Sequence, residues 1–344
     1  MKVGFDGLKA WFVPKNRTPE SERILQELSE DQKQHLKQAM AALSAPGVYR
    51  DTFTEEIAQA VVRWVEDEDA PNTLALLGAP VEPLEKILTD AIAHLALDNV
   101  PTTIQFPSTP TAKPAVRVEQ FISELEREPQ LVLLPSLSRG FLRCIGGLDG
   151  IEALQTAAFR DRSHFWLVGC NSWTWQYLSK THQLQADFEQ TLQLPPLTSD
   201  ALKMWLAPAA TEIDLDLDEE EIQNRFEELA RASLGLSRVA GALWIEALRT
   251  CDSGIVFDRP KRPKLPDLEM HDRYLLYSLV LHEELAFPQL ALSLGEEEHS
   301  VRAPLQRLQQ LGLVRVDQGL FSLNPSHYPK LLADLGQNNF LVDT

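Results

Sequence analysis

Between Asn72 and Pro196 the chain alternates five short apolar runs with segments of helical periodicity. The runs are Leu74–Leu77, Thr102–Phe106, Leu131–Leu134, Phe165–Val168 and Thr191–Leu194. Each is too short for a core helix, and as a set they read as continuous apolar runs rather than strict alternation. Strands of that kind bury both faces, which a parallel sheet covered by helices provides. The gaps supply the helices, at Pro83–Leu97, Val116–Glu128, Gly150–Phe159 and Trp173–Leu178. An α/β core over 71–198 is the expectation.

The flanks read differently. Residues 1–70 are expected to be helical. Ile24, Leu25, Leu28, Leu36, Met40 and Leu43 recur near a helical repeat after a first turn at Pro19 and Glu20. "APGVYR" interrupts that pattern. A second helix follows from about Thr54, with Ile57, Val61, Trp64 and Val65 on one face. After the core, Thr198 or Ser199 caps a helical region at 199–255. It contains an acidic run from Thr211 to Ala230 that reads as a solvated face. Three prolines and four basic residues in 256–268 make the 256–270 segment a linker. Helices at Asp272–Leu281, Phe287–Leu294 and Glu297–Leu311 then lead into two strands around Asp317-Gln318-Gly319, the order of a winged helix over 271–344.

Charge limits the partners. Fifty acids against 32 lysines and arginines leave a net charge of −18, which repels nucleic acid and suits basic protein surfaces. The three cysteines lack metal or disulfide spacing and fit a reducing cytoplasm. No apolar run reaches the roughly 18–20 residues of a bilayer span, and the first residues lack the apolar core of a secretory signal.

The stretch "LALLGAPVEPLEKIL" (Leu74–Leu88) has the outline of a phosphate-binding strand, loop and helix. "QLVLLPSLSRGFLRCIGGLDGIEAL" then fits a Walker B strand, "HFWLVGCNSWTWQYL" a sensor strand, "LQLPPLTSDALKMWL" the last strand entering a lid, and "GLSRVAGALWIEAL" a lid helix. In this order, ending on a winged helix, the chain resembles the STAND and AAA+ group of P-loop NTPases over roughly Val61–Leu335. The resemblance implies a P-loop NTPase-like parallel sheet core with N-terminal helices, a helical lid and a C-terminal winged-helix domain.

The residues depart from that group where its chemistry lies. Counting from Gly78, Pro83 stands for the second glycine of G-x-x-x-x-G-K-[ST], Leu84 for the lysine and Glu85 for the hydroxyl residue. Proline removes an amide, leucine the cation, and glutamate repels phosphate. Pro135 and Ser136 stand where the magnesium-binding acids would follow the Walker B strand. The expectation is a degenerate NTPase: not an enzyme, with no cofactor and no metal, acting as a cytoplasmic scaffold or regulatory subunit through protein–protein interaction. Its partner would be an active NTPase relative or further copies of itself.

Two alternatives accompany that reading. The resemblance gives Asn171 a water-orienting place and Arg238 a lid place, so residual ATP binding would use them. By the same resemblance Arg139 and Arg143, in a cluster with Arg160 and Arg162, offer an arginine to a neighbouring subunit's nucleotide, whereas surface ion pairs are the plainer use. A DNA-associated factor would instead use Arg302, Arg307 and Arg315 of the winged helix. Five basic residues against eleven acids from Asp267 to Thr344 weigh against that use. Trp166, Trp173, Trp175 and Tyr177 read as core or interface anchors. "HEELA" at His282 lacks the second histidine of a zinc protease, because Ala286 stands there.

Overall fold

A computed structural model describes residues 25–95, 103–107, 113–126, 128–160, 162–211, 213, 219–252 and 254–340. The lead-in comprises β1 (Gln26–Glu27), α1 (Glu30–Ala42) and α2 (Gly47–Glu66). The core runs β2 (Thr73–Gly78), α3 (Leu84–Ala93), β3 (Thr103–Gln105), α4 (Pro114–Ser123), β4 (Gln130–Leu134), α5 (Asp149–Arg160), β5 (His164–Asn171), α6 (Ser172–His182) and β6 (Gln190–Gln193). A helical region follows: α7 (Ser199–Thr211), α8 (Glu219–Ser233) and α9 (Ser237–Ala247), with the hairpin β7 (Leu248–Cys251) and β8 (Gly254–Phe257). The C-terminal part is α10 (Met270–His282), β9 (Glu284–Ala286), α11 (Phe287–Leu294), α12 (Glu298–Gln310), β10 (Val314–Asp317), β11 (Leu320–Leu323) and α13 (Tyr328–Gln337). These elements form two compact units, 1–48 with 195–263, and 49–194 with 264–344.

The larger unit contains a five-stranded parallel sheet in the order β3-β4-β5-β2-β6. All of β4 and β5 is buried, which explains their unbroken apolar character. Val132, Leu134, Trp166 and Val168 pack with Val118, Phe121, Ile151 and Leu154 of α4 and α5. The neighbours β2 and β5 send their connections in opposite directions, α3 toward β3 and α6 toward β6. In open α/β sheets the crevice outside the carboxyl ends of such a pair is the ligand position. Gly78 and Asn171 face each other there in register.

The same unit carries the winged helix. Its sheet is antiparallel, β10-β11-β9, with the turn at Gln318 (φ 46°) and Gly319 (φ 82°). Leu275, Leu276, Leu305 and Leu308 of α10 and α12 form its interior. The fold class is thus α/β, with a P-loop NTPase-like parallel core and a C-terminal winged helix.

In the smaller unit, α1 begins with a capping box: Ser29 Oγ accepts from Gln32 N, and Gln32 Oε1 accepts from Ser29 N at 2.9 Å. Trp205 Nε1 donates to Ser44 O at 3.0 Å. Gly235 has φ +69°, and a Cβ there would lie 2.7 Å from Leu197 N, so conformation and space both demand glycine.

Several expected elements change. Leu25 and Leu28 precede α1 rather than belong to it, while Pro19, Glu20 and Ile24 lie outside the described residues. The second helix already starts at Gly47 through "APGVYR", and Val65 is exposed rather than facing the core. Leu97 and Thr102 are outside the described residues, and α4 stops at Ser123, short of Glu128. The helical region expected over 199–255 ends at Ala247. There the chain turns into β7, which pairs with β1 and β8 in a three-stranded antiparallel sheet. In the winged helix, α12 runs from Glu298 straight through Pro304.

Candidate functional site

The crevice at the sheet's carboxyl end is built by close approach of two strands. In β5, a Cβ on Gly169 would stand 2.2 Å from the carbonyl oxygen of Pro135, so only glycine lets the exit of β4 lie against β5. That approach brings Ser136 and Ser138 beside Asn171, all three buried. Asn171 ends β5 and caps α6, its Oδ1 accepting from Thr174 N at 2.9 Å.

Into this crevice comes the end of α10. Asn171 Nδ2 donates to Leu281 O at 3.1 Å and to Glu283 Oε1 at 3.0 Å. Ser136 Oγ lies 3.0 Å from both carboxylate oxygens of Glu283 and 2.7 Å from Ser138 Oγ. Thr174 Oγ1 also donates to Leu281 O. Glu283 adopts φ 64°, ψ −51°, a conformation that costs a non-glycine residue on the order of 1–3 kcal/mol and persists only where its surroundings hold it. Two donors to its carboxylate supply that hold.

The electrostatics follow from enclosure. Burial raises the Glu283 carboxyl above its ordinary range, while the Asn171 bond, the Arg139 charge and the Ser136 bond pull it down. His282 is 3% exposed, and burial depresses its pKa to about 4, so the ring is neutral at pH 7. Its Nε2 accepts from Arg143 N at 3.3 Å, and Nδ1 lies 3.5 Å from Ser138 O. Arg139 Nη1 pairs with Glu85 at 2.9 Å, and Nη2 sits 3.6 Å from Glu284. A carboxylate met by one hydroxyl and one amide can hold a proton or accept donors. Among the described residues no three His, Cys, Asp or Glu side chains gather as a metal site.

The structure brings some of the sequence-derived positions together and leaves others apart. Gly78 ends β2, where the nearest atoms to an added Cβ would belong to the side chains of Leu194 and Leu84. Pro83 is the residue before α3, Leu84 is 3% exposed in the core, and Glu85 in the first turn faces Arg139. Ser136, Asn171 and Arg139 share the crevice with Glu283. Arg143 is turned away from it, donating to Ser293 O at 3.0 Å, with its guanidinium 5.4 Å from the centre of the Tyr277 ring. Arg162 donates to the carbonyls of Glu68 and Asp69. Arg238 is an exposed residue of α9, in the other unit.

In the winged helix, Arg302 lies over Phe287 at 5.2 Å, Arg307 pairs with buried Asp272, and Arg315 donates to Asn324. Of the aromatic group, Trp166 is core. Trp173 donates to Tyr328 OH at 3.1 Å and meets Tyr277 edge-on, which ties α6 to the winged helix. Sequence reasoning missed Glu283 itself. The "HEELA" stretch drew notice only as an incomplete zinc motif, and a carboxylate arriving from another domain leaves no local spacing to read.

The fold is a five-stranded parallel α/β core of P-loop NTPase-like outline, with a winged helix packed on its strand ends. No protein-family model and no curated protein matches the chain. Among solved structures it is similar to the RuvB Holliday junction branch migration motor of Thermotoga maritima, at 18% identity over 85% of this chain and 95% of that one, with a TM-score of 0.37. It is also similar to the Aeropyrum pernix ORC2 protein in ADPNP-ADP complexes (14% identity, 84% and 93% covered, TM-score 0.42). A third is the Aeropyrum pernix ORC1 protein in complex with DNA (15% identity, 94% and 100% covered, TM-score 0.38). At such identities the likeness concerns the fold. It nevertheless corrects one expectation: "not an enzyme" does not stand, since the similar structures include a motor and a protein held in nucleotide complexes. No described helix is long and apolar enough to cross a membrane.

Proposed function

We propose that the chain is an AAA+-like regulatory or scaffold subunit that works through protein–protein contacts, its winged helix clamped to the strand ends of its own core. The observation that carries this is Glu283, held by Asn171 and Ser136 in the crevice where a parallel sheet receives its ligand. Whatever enters that crevice competes with the chain's own carboxylate. Occupancy of the core and position of the winged helix are then linked, as allosteric coupling requires of two sites that bias one element. The loop after β2 carries Pro83, Leu84 and Glu85 in place of a glycine-lysine cradle, which favours partner contacts over phosphate at this end of the sheet. The acidic surface suits a basic partner, whether a related NTPase or a further copy, in a reducing compartment such as the cytoplasm.

Amide hydrogen exchange at the last turn of α10 tests the clamp. Glu283→Ala should accelerate exchange there while leaving α4 and α5 unchanged, and millimolar ATP with magnesium should do the same to the wild-type chain. Phosphate release measured on the same samples reports hydrolysis directly. Exchange at Leu281–Glu283 that neither the substitution nor nucleotide alters would sink the proposal.

A second reading, a DNA-associated AAA+-like factor, has in its favour that Arg302 and Arg307 share α12 and Arg315 lies on the adjoining hairpin. It predicts DNA affinity that falls steeply with salt.

A further inference from the structure

A pocket of about 820 Å³ opens beside the winged helix, lined by Arg143 and Ile145 from the loop after β4, Tyr177 of α6, Tyr274 of α10 and Leu292 of α11. Among the described residues, no carboxylate forms an ion pair with Arg143. One Nη donates to Ser278 Oγ and Ser293 O, while its Nε is buried without a hydrogen-bond partner. This guanidinium also lies 5.4 Å over the Tyr277 ring, yet its charge has no carboxylate partner among the described residues, and a carboxylate is the group whose geometry matches it.

The rim is apolar and open. Ile145 is fully exposed, Tyr274 is 44% exposed and Leu292 48%. Neighbouring large apolar side chains left in water around an arginine and tyrosines are the composition of a protein-binding hot spot. Glu296, also on the rim, and the exposed Glu297 and Glu298 that follow add negative charge beyond the pocket, suited to basic flanks on the occupant.

We infer that this pocket docks a linear segment of a protein partner in which an acidic residue adjoins a large apolar one. The carboxylate pairs with Arg143, and the apolar side chain is covered by Ile145, Tyr274 and Leu292. The inference deepens the protein-interaction reading above by stating the chemistry of the contact. It does not depend on Glu283, so the clamp and the pocket can fail separately.

The test pans a random heptapeptide display library against the full chain, then measures the enriched peptide by fluorescence anisotropy. The expected consensus places Asp or Glu beside Leu, Phe or Trp. Changing that acid to its amide should weaken binding about tenfold, the loss of one charge-assisted pair. Ile145→Ser, at a position too exposed to disturb folding, should weaken it by a comparable factor. Arg143→Gln should erase the distinction between acid and amide peptides, and unaltered thermal unfolding qualifies that variant for use. No enrichment, indifference to the amide, or unchanged binding by Ile145→Ser overturns the inference. So does sedimentation showing that Ile145→Ser abolishes self-association, which makes a second copy the occupant. Tighter peptide binding by a chain ending at Phe340 overturns it too, by assigning the pocket to the chain's own last residues.

Discussion

The side-chain amide of Asn171 meets the carboxylate of Glu283 at 3.0 Å, across 112 positions of sequence. This bond joins the end of the central strand β5 to the end of α10, and the same asparagine caps α6. Asn171→Ala therefore removes a cap and two donors at once and leaves Glu283 with Ser136. A loss of about 2–4 kcal/mol is expected in urea unfolding, the range for breaking a buried polar network. Glu283→Gly should be more stable than Glu283→Ala by about 1 kcal/mol, because glycine tolerates φ 64°. Equal midpoints for Ala and Gly would mean that the backbone at 283 is unstrained.

Much of this arrangement was legible in the sequence, and its limits have physical causes. The inner strands β2, β4 and β5 appeared because both-face burial writes unbroken apolar runs, as in "LALL" and "LVLL", whereas the edge strands β3 and β6 are partly exposed and were read from their place in the alternation. The hairpin of β7 and β8 was hidden because "ALRTCDSGIVF" joins a strong helical pattern directly, with only Ala247 to mark the change. Ser136 and Asn171 were found from their order along the chain. Glu283 was not, since only tertiary packing places it between them. Arg307 looked available to phosphate in sequence, and its pairing with buried Asp272 spans 35 positions.

The two crevice-facing glycines should respond differently to substitution. Gly169→Ala sets a methyl 2.2 Å from the backbone oxygen of Pro135, and neither strand can yield without parting from the sheet. A loss above about 3 kcal/mol is expected, in the range of overpacking within a rigid core. Gly78→Ala meets the ends of two leucine side chains, which can rotate away, so roughly 1 kcal/mol is expected. Thermal unfolding of the pair checks this order. A greater loss at Gly78 would show that its backbone, rather than space, demands glycine.

Arg307 distinguishes a structural from a DNA-reading winged helix. Its partner Asp272 has a side chain 1% exposed, so Arg307→Ala leaves a buried carboxylate without its cation. A stability loss of about 2–4 kcal/mol is expected. If DNA binds through this helix, the same substitution would also lower the slope of log affinity against log salt by about 1. Anisotropy with a labelled duplex at several salt concentrations separates the outcomes. A changed slope with unchanged stability would favour the DNA reading.

His282 makes stability depend on pH in a direction that can be worked out. Its folded pKa is lowered to about 4 from an ordinary 6.5, chiefly by burial. Between those values the unfolded chain binds a proton that the folded chain refuses, so stability falls as pH falls through this window. From pH 7 to pH 5 the histidine accounts for about 2 kcal/mol of that loss, at 1.36 kcal/mol per unit. Glu283 acts in the opposite sense. Its raised pKa lets the folded chain take up a proton first, which offsets part of the loss on acidification. The total change is therefore a poor measure, whereas a difference between variants isolates the histidine. In His282→Gln the decline in urea midpoint from pH 7 to pH 5 should shrink by the equivalent of about 2 kcal/mol, with the Glu283 contribution common to both chains. Equal declines in wild type and variant would show that the ring is reached by water and titrates normally.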